Sequence, residues 1–151
     1  LLAQGRSTLT RLYAGNGDDW QPALFPILHS DYSAAMSHFI YKIVPKALWR
    51  EAEKAGSFAG APVDRADGFI HFSTAAQVAE TAAKHFAGQA GLLLVAIDEA
   101  KLGPALRYEP SRGGALFPHL YGELELTAVA WARPLPLGAE GRHEFPPLEG
   151  Q

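Results

Sequence analysis

The chain has 151 residues, a length that fits one domain with a sizeable core and is short for two. Apolar residues make up 48% and the formal charge is −3, which is typical of a globular protein and not of one that binds nucleic acid or anionic membranes through a basic surface. Cysteine is absent, which excludes disulfides, thiolate metal sites and a cysteine nucleophile.

No apolar run approaches the ~20 residues that a membrane-spanning helix needs. The longest, residues 92–97, has the length of a buried strand. The sequence therefore predicts no membrane partner and a cytoplasmic location.

The sequence changes character at Met36, its only methionine. Residues 1–35 show no clear period, whereas patterned segments follow one another after that point. We expect Met36 to be the natural start, residues 1–35 to be a leader, and the domain to span residues 36–137. The alternative is an N-terminal arm that packs through Trp20, Phe25 and Ile27. Residues 138–151 are predicted to form an extended tail.

Apolar periodicity predicts the first strand and the first helix. Residues 38–44 alternate in the manner of a strand. Pro45 suits the first turn of a helix, because its missing N–H costs nothing there. Apolar residues then recur at helical spacing up to Gly56, which suits the position after a helix end. The loop that leads to the next strand contains Gly60, Pro62 and Asp64.

The most informative segment is Asp-Gly-Phe-Ile-His-Phe-Ser-Thr at residues 67–74. Gly68 permits a turn, and the apolar residues around His71 predict a short buried strand. Ser73 suits the N-cap of an Ala-rich helix predicted for about residues 74–87. On a strand His71 and Ser73 share one face, where they could bind a ribose diol or a phosphate near the helix N-terminus. The alternative is a core histidine bonded to a carbonyl, with Ser73 only capping.

The second half of the chain is rich in predicted strands. Residues 92–97 are apolar on both faces, residues 123–131 alternate as a strand with one buried face, and residues 106–109 and 116–121 read as short extended segments. Two early helices followed by strands predict an α+β fold with a split, mostly antiparallel or mixed sheet. A Gly-rich phosphate loop of the dinucleotide or P-loop type is absent from the sequence.

A second candidate cluster contains Arg107, Glu109 and Arg112. Residues two apart on a strand face the same side, so Arg107 and Glu109 form a pair. An arginine could grip a phosphate, and Glu109 could serve as a base or stabilise charge. The alternative is an exposed edge with ordinary ion pairs, each worth under about 1 kcal/mol.

A third cluster lies in residues 117–122. As an extended segment it places Phe117, His119 and Tyr121 on one face, which makes a platform for a flat heterocycle. The alternative is that Phe117 and Tyr121 fill the core while His119 lies at the surface. The six histidines of the chain show neither His-x-x-x-His nor His-x-His spacing, so no metal site is predicted.

Four segments together resemble the DUF952 family of small bacterial and plant domains of unknown function. The resemblance covers about residues 39–137, and the motifs follow in the family's order. They are Tyr-Lys-Ile at 41–43, the segment at 67–74, Arg-Tyr-Glu at 107–109, and Phe-Pro-His-Leu-Tyr-Gly at 117–122.

The resemblance implies an ADP-ribosyltransferase-like fold, in which a split sheet holds NAD in a cleft. Residues 70–73 are similar to the His-Leu-Ser strand of RNA 2′-phosphotransferases, which would place His71 on the NAD side. The Arg-His pair of that family's first strand is not evident, since Ile-Tyr-Lys stands at residues 40–42. Glu109 and Glu123 are the candidates for the catalytic glutamate, and a shared fold does not establish activity.

The first hypothesis is a protein that binds or processes NAD, ADP-ribose or a related nucleotide, with catalysis left open. His71 would orient the ribose and Glu109 would stabilise developing charge. Arg107 would hold the diphosphate and Tyr121 would stack on nicotinamide. A non-catalytic small-molecule binding module and a protein-interaction domain are the alternatives. The other predicted binding residues are Ser73, Thr74 and His119.

Overall fold

The structure, a computed structural model, describes residues 38–148. The predicted leader, residues 1–35, lies outside the described residues, as do the last three residues of the predicted tail. The α-helices of the described part are α1 Lys46–Ala55, α2 Pro62–Asp67 and α3 Val78–His85. Within residues 38–148, no helix combines the length and the apolar character needed to cross a membrane.

The strands of the described part form three sheets in which every pairing is antiparallel. Two sheets have three strands, in the orders β1–β4–β8 and β3–β6–β5, and a small third sheet pairs β2 with β7. The predicted α+β class with antiparallel strands is therefore confirmed. The strands are β1 Phe39–Pro45, β2 Ser57–Phe58, β3 Ile70–His71, β4 Leu92–Asp98, β5 Leu106–Pro110, β6 Leu116–Leu120, β7 Leu124–Glu125 and β8 Val129–Leu135.

The β1–β4–β8 sheet is covered on both faces, which explains why residues 92–97 are apolar throughout. On one face Val95 and Ile97 pack in a core that contains Trp49 of α1. On the other face Leu94 packs in a second core with Val78 of α3. Two residues of the predicted tail, Phe145 and Leu148, also pack in this second core.

The first predicted helix is confirmed as α1. Trp49 and Ala52 form its buried stripe, as the apolar spacing indicates. Gly56 adopts a φ of 89° and donates its N–H to the Ala52 carbonyl at 2.8 Å, which closes the last turn.

Two other helical boundaries differ from the sequence prediction. The segment predicted as a loop contains α2, which Pro62 begins and Gly68 ends in a left-handed conformation. The predicted helix at residues 74–87 begins only at Val78, and Ser73 does not cap it. The side chain of Gln77 instead accepts the Thr74 N–H at 3.0 Å, in a turn that precedes α3.

The strand predicted at residues 123–131 is interrupted. A 3₁₀ turn at Leu126–Ala128 separates β7 from β8, and the two strands pair with different partners, β2 and β4. The inward positions also change phase, from Leu124 in β7 to Val129 and Trp131 in β8, so Ala130, expected on the buried face, is exposed.

The two larger sheets meet at a seam formed by Tyr41 of β1 and Ser73, which follows β3. The Tyr41 N–H donates to the Ser73 carbonyl at 2.8 Å, and the Ser73 N–H donates to the Tyr41 carbonyl at 2.9 Å. The seam thereby brings the residues after β3 to the edge of the β1–β4–β8 sheet.

Candidate functional site

Strand register brings the predicted polar residues to one face of the β3–β6–β5 sheet. His119 of β6 lies directly opposite His71 of β3 and Arg107 of β5. Opposed residues of antiparallel strands project to the same side. Glu109 and Tyr121 lie two residues along from this row and share the face. Five predicted site residues from three distant segments therefore converge.

His119 is buried and fixed by Glu109. Its Nδ1 lies 2.8 Å from Glu109 Oε1, and the Tyr121 hydroxyl donates to the same oxygen at 2.8 Å. The hydrogen bonds from His119 and Tyr121 lower the pKa of Glu109, and the bond to Glu109 raises the pKa of Tyr121. The Phe69 ring stacks on the imidazole with centroids 4.2 Å apart. The orientation of the His119 ring is thereby fixed by Glu109 at one edge and by Phe69 at one face.

The second ring nitrogen of His119 is the most unusual atom of the site. Nε2 is buried and has no hydrogen-bond partner among the described residues, although buried polar atoms are generally paired. With Nδ1–H donated to Glu109, a neutral imidazole presents a lone pair at Nε2. Nε2 therefore has neither a partner among the described residues nor contact with solvent.

His71 is held at both ring nitrogens. Nδ1 lies 2.7 Å from Asp64 Oδ1, and Nε2 lies 2.9 Å from Asp67 Oδ2. An imidazolium donates from both nitrogens, so the two carboxylates match the protonated ring. The centroids of the His71 and His119 rings are 5.4 Å apart, and the rings are inclined by 73°.

Asp64 is the functional residue that sequence reasoning missed. It is only 1% exposed, and it accepts hydrogen bonds from Lys42 Nζ at 2.9 Å and from the His71 N–H at 3.1 Å. It also accepts the Ala61 N–H at 2.7 Å, as an acidic residue at the third position of a helix does. Pro62 followed two residues later by an acid is the sequence signal for this helix start.

Lys42 and Asp64 influence each other through burial and charge. Burial on its own raises the pKa of Asp64, but the hydrogen bond from His71 and the Lys42 ammonium outweigh it and lower that pKa to about 2. Burial lowers the pKa of Lys42, and the Asp64 carboxylate only partly offsets this effect. Lys42 also donates to the His71 carbonyl at 3.0 Å.

A cavity of about 670 Å³ lies beside the two histidines. Arg112, in the turn between β5 and β6, donates to the Thr81 hydroxyl of α3 at 3.3 Å. Its guanidinium carbon lies 4.8 Å from the centre of the Phe117 ring. The hydroxyls of Ser73 and Thr81 are 2.9 Å apart. The cavity wall thus combines a cation, two hydroxyls and an aromatic ring with the imidazoles. The residues that line the cavity include His71, Ser73, Thr81, Arg112, Phe117 and His119.

The family model described as "Protein of unknown function (DUF952)" matches residues 43–132, which is more than half of the chain. The chain belongs to this family. The resemblance seen in the four motifs is thereby confirmed. Among curated proteins, none matches the sequence.

Solved structures similar to this DUF952 chain come from the protein CC0527 of Caulobacter crescentus. The chain in its crystal structure has 49% sequence identity to this one, and the match has a TM-score of 0.68. The match covers 70% of this chain and 93% of that one. Its solution NMR structure is 50% identical, covers 69% of this chain and 90% of that one, and has a TM-score of 0.64.

Only some of the site residues predicted from the sequence line the cavity of the DUF952 domain. His71, Ser73 and His119 line it, whereas the lining does not include Thr74, Arg107, Glu109 or Tyr121. Arg107 instead lies with its guanidinium carbon 4.8 Å from the centre of the Tyr121 ring. The arginine of the lining is Arg112, named in the sequence beside Arg107. Within residues 38–148 of the DUF952 domain, no group of three or more His, Asp or Glu could hold a metal ion.

Proposed function

We propose that the cavity binds a phosphate-bearing nucleotide of the NAD or ADP-ribose class. The observation that carries the proposal is a cavity in whose wall the guanidinium of Arg112 lies together with the hydroxyls of Ser73 and Thr81. A volume of about 670 Å³ is within the range of small-molecule sites. The ADP-ribosyltransferase-like fold implied by the family resemblance belongs to the same proposal.

The lining residues suit distinct parts of such a ligand. Arg112 and the Thr81 hydroxyl provide donors for phosphate oxygens. The Ser73 hydroxyl, bonded to that of Thr81, provides a partner for a ribose hydroxyl. Phe117 offers an apolar ring surface for a base. In this arrangement Arg112 takes the phosphate-binding role that the sequence suggested for Arg107.

The geometry also bears on how the ligand would be processed. Cleavage of the bond between nicotinamide and ribose passes through an oxocarbenium-like state that a nearby carboxylate stabilises. Glu109 is bound to His119 and Tyr121 and is not part of the lining, so it would act only through His119. Asp67 is the carboxylate in the lining, and it contacts His71.

Calorimetry with NAD, ADP-ribose and nicotinamide tests the proposal. We expect the nucleotides to bind and Arg112→Gln to weaken their affinity about tenfold or more, because a charge-assisted hydrogen bond is lost. Arg50→Gln, on the exposed side of α1, is the matched control and leaves the affinity unchanged. The absence of heat with all three compounds at millimolar concentration would end the proposal.

Release of nicotinamide from NAD separates the catalytic from the binding-only form of the proposal. Turnover that His71→Ala abolishes supports processing of the ligand. Binding of NAD without release supports a non-catalytic binding module that uses the same cavity.

A further inference from the structure

The cavity wall changes from donors to acceptors along a series of side-chain contacts. At one end the Arg112 guanidinium donates to the Thr81 hydroxyl at 3.3 Å, and that hydroxyl lies 2.9 Å from the hydroxyl of Ser73. At the other end His71, two residues before Ser73 in the chain, contacts the Asp67 carboxylate through Nε2 at 2.9 Å. All five residues line the cavity. The wall therefore leads from a guanidinium, past two hydroxyls and an imidazole, to a carboxylate.

The two ends of this wall suit different parts of a nucleotide. A guanidinium only donates hydrogen bonds, whereas an ionised carboxylate only accepts them. Phosphate oxygens are acceptors, so they bind well at Arg112 and are repelled at Asp67. Ribose hydroxyls can donate, and an acidic residue binds the ribose hydroxyls in many dinucleotide-binding proteins. The wall thus determines which end of a bound ligand carries the phosphate.

Arg112 retains donors for a ligand. Each of its terminal nitrogens carries two N–H groups. Among the described residues, each of these nitrogens contacts one side chain, that of His85 at 3.4 Å or that of Thr81 at 3.3 Å. Nε lies 3.6 Å from Glu80, which is outside the cavity lining. The guanidinium therefore has N–H groups left for phosphate oxygens.

Asp67 retains acceptor capacity. Its Oδ2 contacts His71, and a carboxylate has about four lone-pair positions in all. The Asp67 side chain is 47% exposed, so a ligand in the cavity can reach it. Within residues 38–148, no ion pair joins Asp67 to Arg112, so the two opposite charges of the lining do not neutralise each other.

We propose that the cavity selects nucleotides that carry phosphate at the ribose 5′ position and keep both the 2′ and the 3′ hydroxyl free, with Asp67 as the specificity-determining residue. In such a nucleotide the phosphate and the diol lie at opposite ends of the ribose, which matches the order of the wall. A second phosphate, on the 2′ or 3′ oxygen, would meet the Asp67 carboxylate. The inference rests on the proposed function and names its substrate class.

Calorimetry with adenosine 5′-monophosphate and with adenosine 2′,5′- and 3′,5′-bisphosphate tests the inference. Whichever way a bisphosphate enters, one of its phosphates lies at the carboxylate end. We expect each bisphosphate to bind about tenfold or more weakly than the monophosphate, although it carries more negative charge, because it is repelled by Asp67 and loses a hydrogen bond from a ribose hydroxyl.

Asp67→Asn removes the charge and introduces an amide that can donate to phosphate. The difference between the monophosphate and the bisphosphates should then fall to about twofold or less. Glu51→Gln, which removes one carboxylate from the exposed side of α1, is the matched control and retains the difference. Circular dichroism verifies that each variant is folded. Should Asp67→Asn fail to fold, Asp67→Ala serves as the second variant, since it also removes the carboxylate.

The outcomes separate the two proposals. A preference for the monophosphate that is lost in Asp67→Asn and retained in Glu51→Gln supports the inference. Bisphosphates that bind as tightly as the monophosphate overturn it, as does a preference that persists without the Asp67 carboxylate. Binding of ADP-ribose without binding of the monophosphate also overturns it and leaves the nucleotide site standing. Should ADP-ribose, NAD and the monophosphate all fail to bind, both proposals fail.

Discussion

The two larger sheets each have three strands, and they differ in the side chains that lie on their faces. In the β1–β4–β8 sheet, the central strand is buried on both faces by apolar side chains. In the β3–β6–β5 sheet, Ile70 and Leu120 contribute to the core, whereas His71, His119 and Arg107 lie on the opposite face. The first sheet is therefore apolar on both faces, whereas the second has one apolar face and one polar face.

Lys42 is the exception that connects the two sheets. It is a buried cation in β1, and its ammonium donates both to Asp64 and to the His71 carbonyl. A buried ion pair is costly to desolvate, and its removal from one side leaves the other charge uncompensated. Asp64 is therefore the residue whose substitution should weaken the link between the two sheets most.

Asp64→Ala is expected to have the largest effect, a loss of about 3–5 kcal/mol in the free energy of unfolding. The buried Lys42 ammonium would lose its partner, and His71 would lose its Nδ1 contact. Urea unfolding measures the loss. Glu51→Ala, on the exposed side of α1, is the control. A loss below about 1 kcal/mol would contradict the role given to Asp64.

Leu94→Ala is expected to cost about 2–5 kcal/mol, because a fully buried side chain of the first sheet leaves a cavity behind. Nucleotide affinity, measured by calorimetry on the folded variant, should remain that of the natural sequence. A large change in affinity with no change in stability would show that the division between the two sheets is wrong.

Acid should weaken the second sheet through Asp64. Its pKa in the folded state is about 2, below the ordinary 3.8, so its contribution is complete above pH 5 and is lost as the pH falls towards 2. The loss is on the order of 2 kcal/mol, and the lowered pKa of Glu109 acts in the same direction. Urea unfolding at pH 7, 5 and 3 should show about half of this loss by pH 3, because pH 3 lies between the two pKa values of Asp64. Asp64→Asn should flatten this dependence.

Glu109→Ala is expected to have the smallest effect on stability and a clear spectroscopic one. Removal of the acceptor at Nδ1 should shift the His119 ring from a single tautomer towards a mixture. Nitrogen-15 NMR of the ring reports the tautomer directly, and His38 in the same spectrum is the internal control. Unchanged His119 ring shifts would contradict the orienting contact.

Local pattern was sufficient for the elements that are long or strongly periodic. The strand at β1, the helix α1 with its stop at Gly56, and the apolar strand at residues 92–97 were predicted, because each one shows its period within a few residues. α2 has six residues, less than two turns, so no apolar period could reveal it. Asp64 was missed with it.

The sequence predicted which residues belong to the candidate site, but it did not predict how they are arranged in space. That His71 and His119 share a face with Arg107 followed from the motifs only once strand register was known. Register depends on pairing between distant segments, which a local pattern does not contain. The choice between Arg107 and Arg112 depends likewise on the turn after β5, which carries Arg112 towards Thr81.

The seam at Tyr41 and Ser73 has a practical consequence for experiments. Both of its amide protons lie in backbone hydrogen bonds between the two sheets, and both residues also line the cavity. Their exchange with deuterated solvent therefore reports whether the sheets separate locally, without any label or substitution in the site. A compound that occupies the cavity should slow the exchange of these two amides, which provides a screen for ligands of any chemical class.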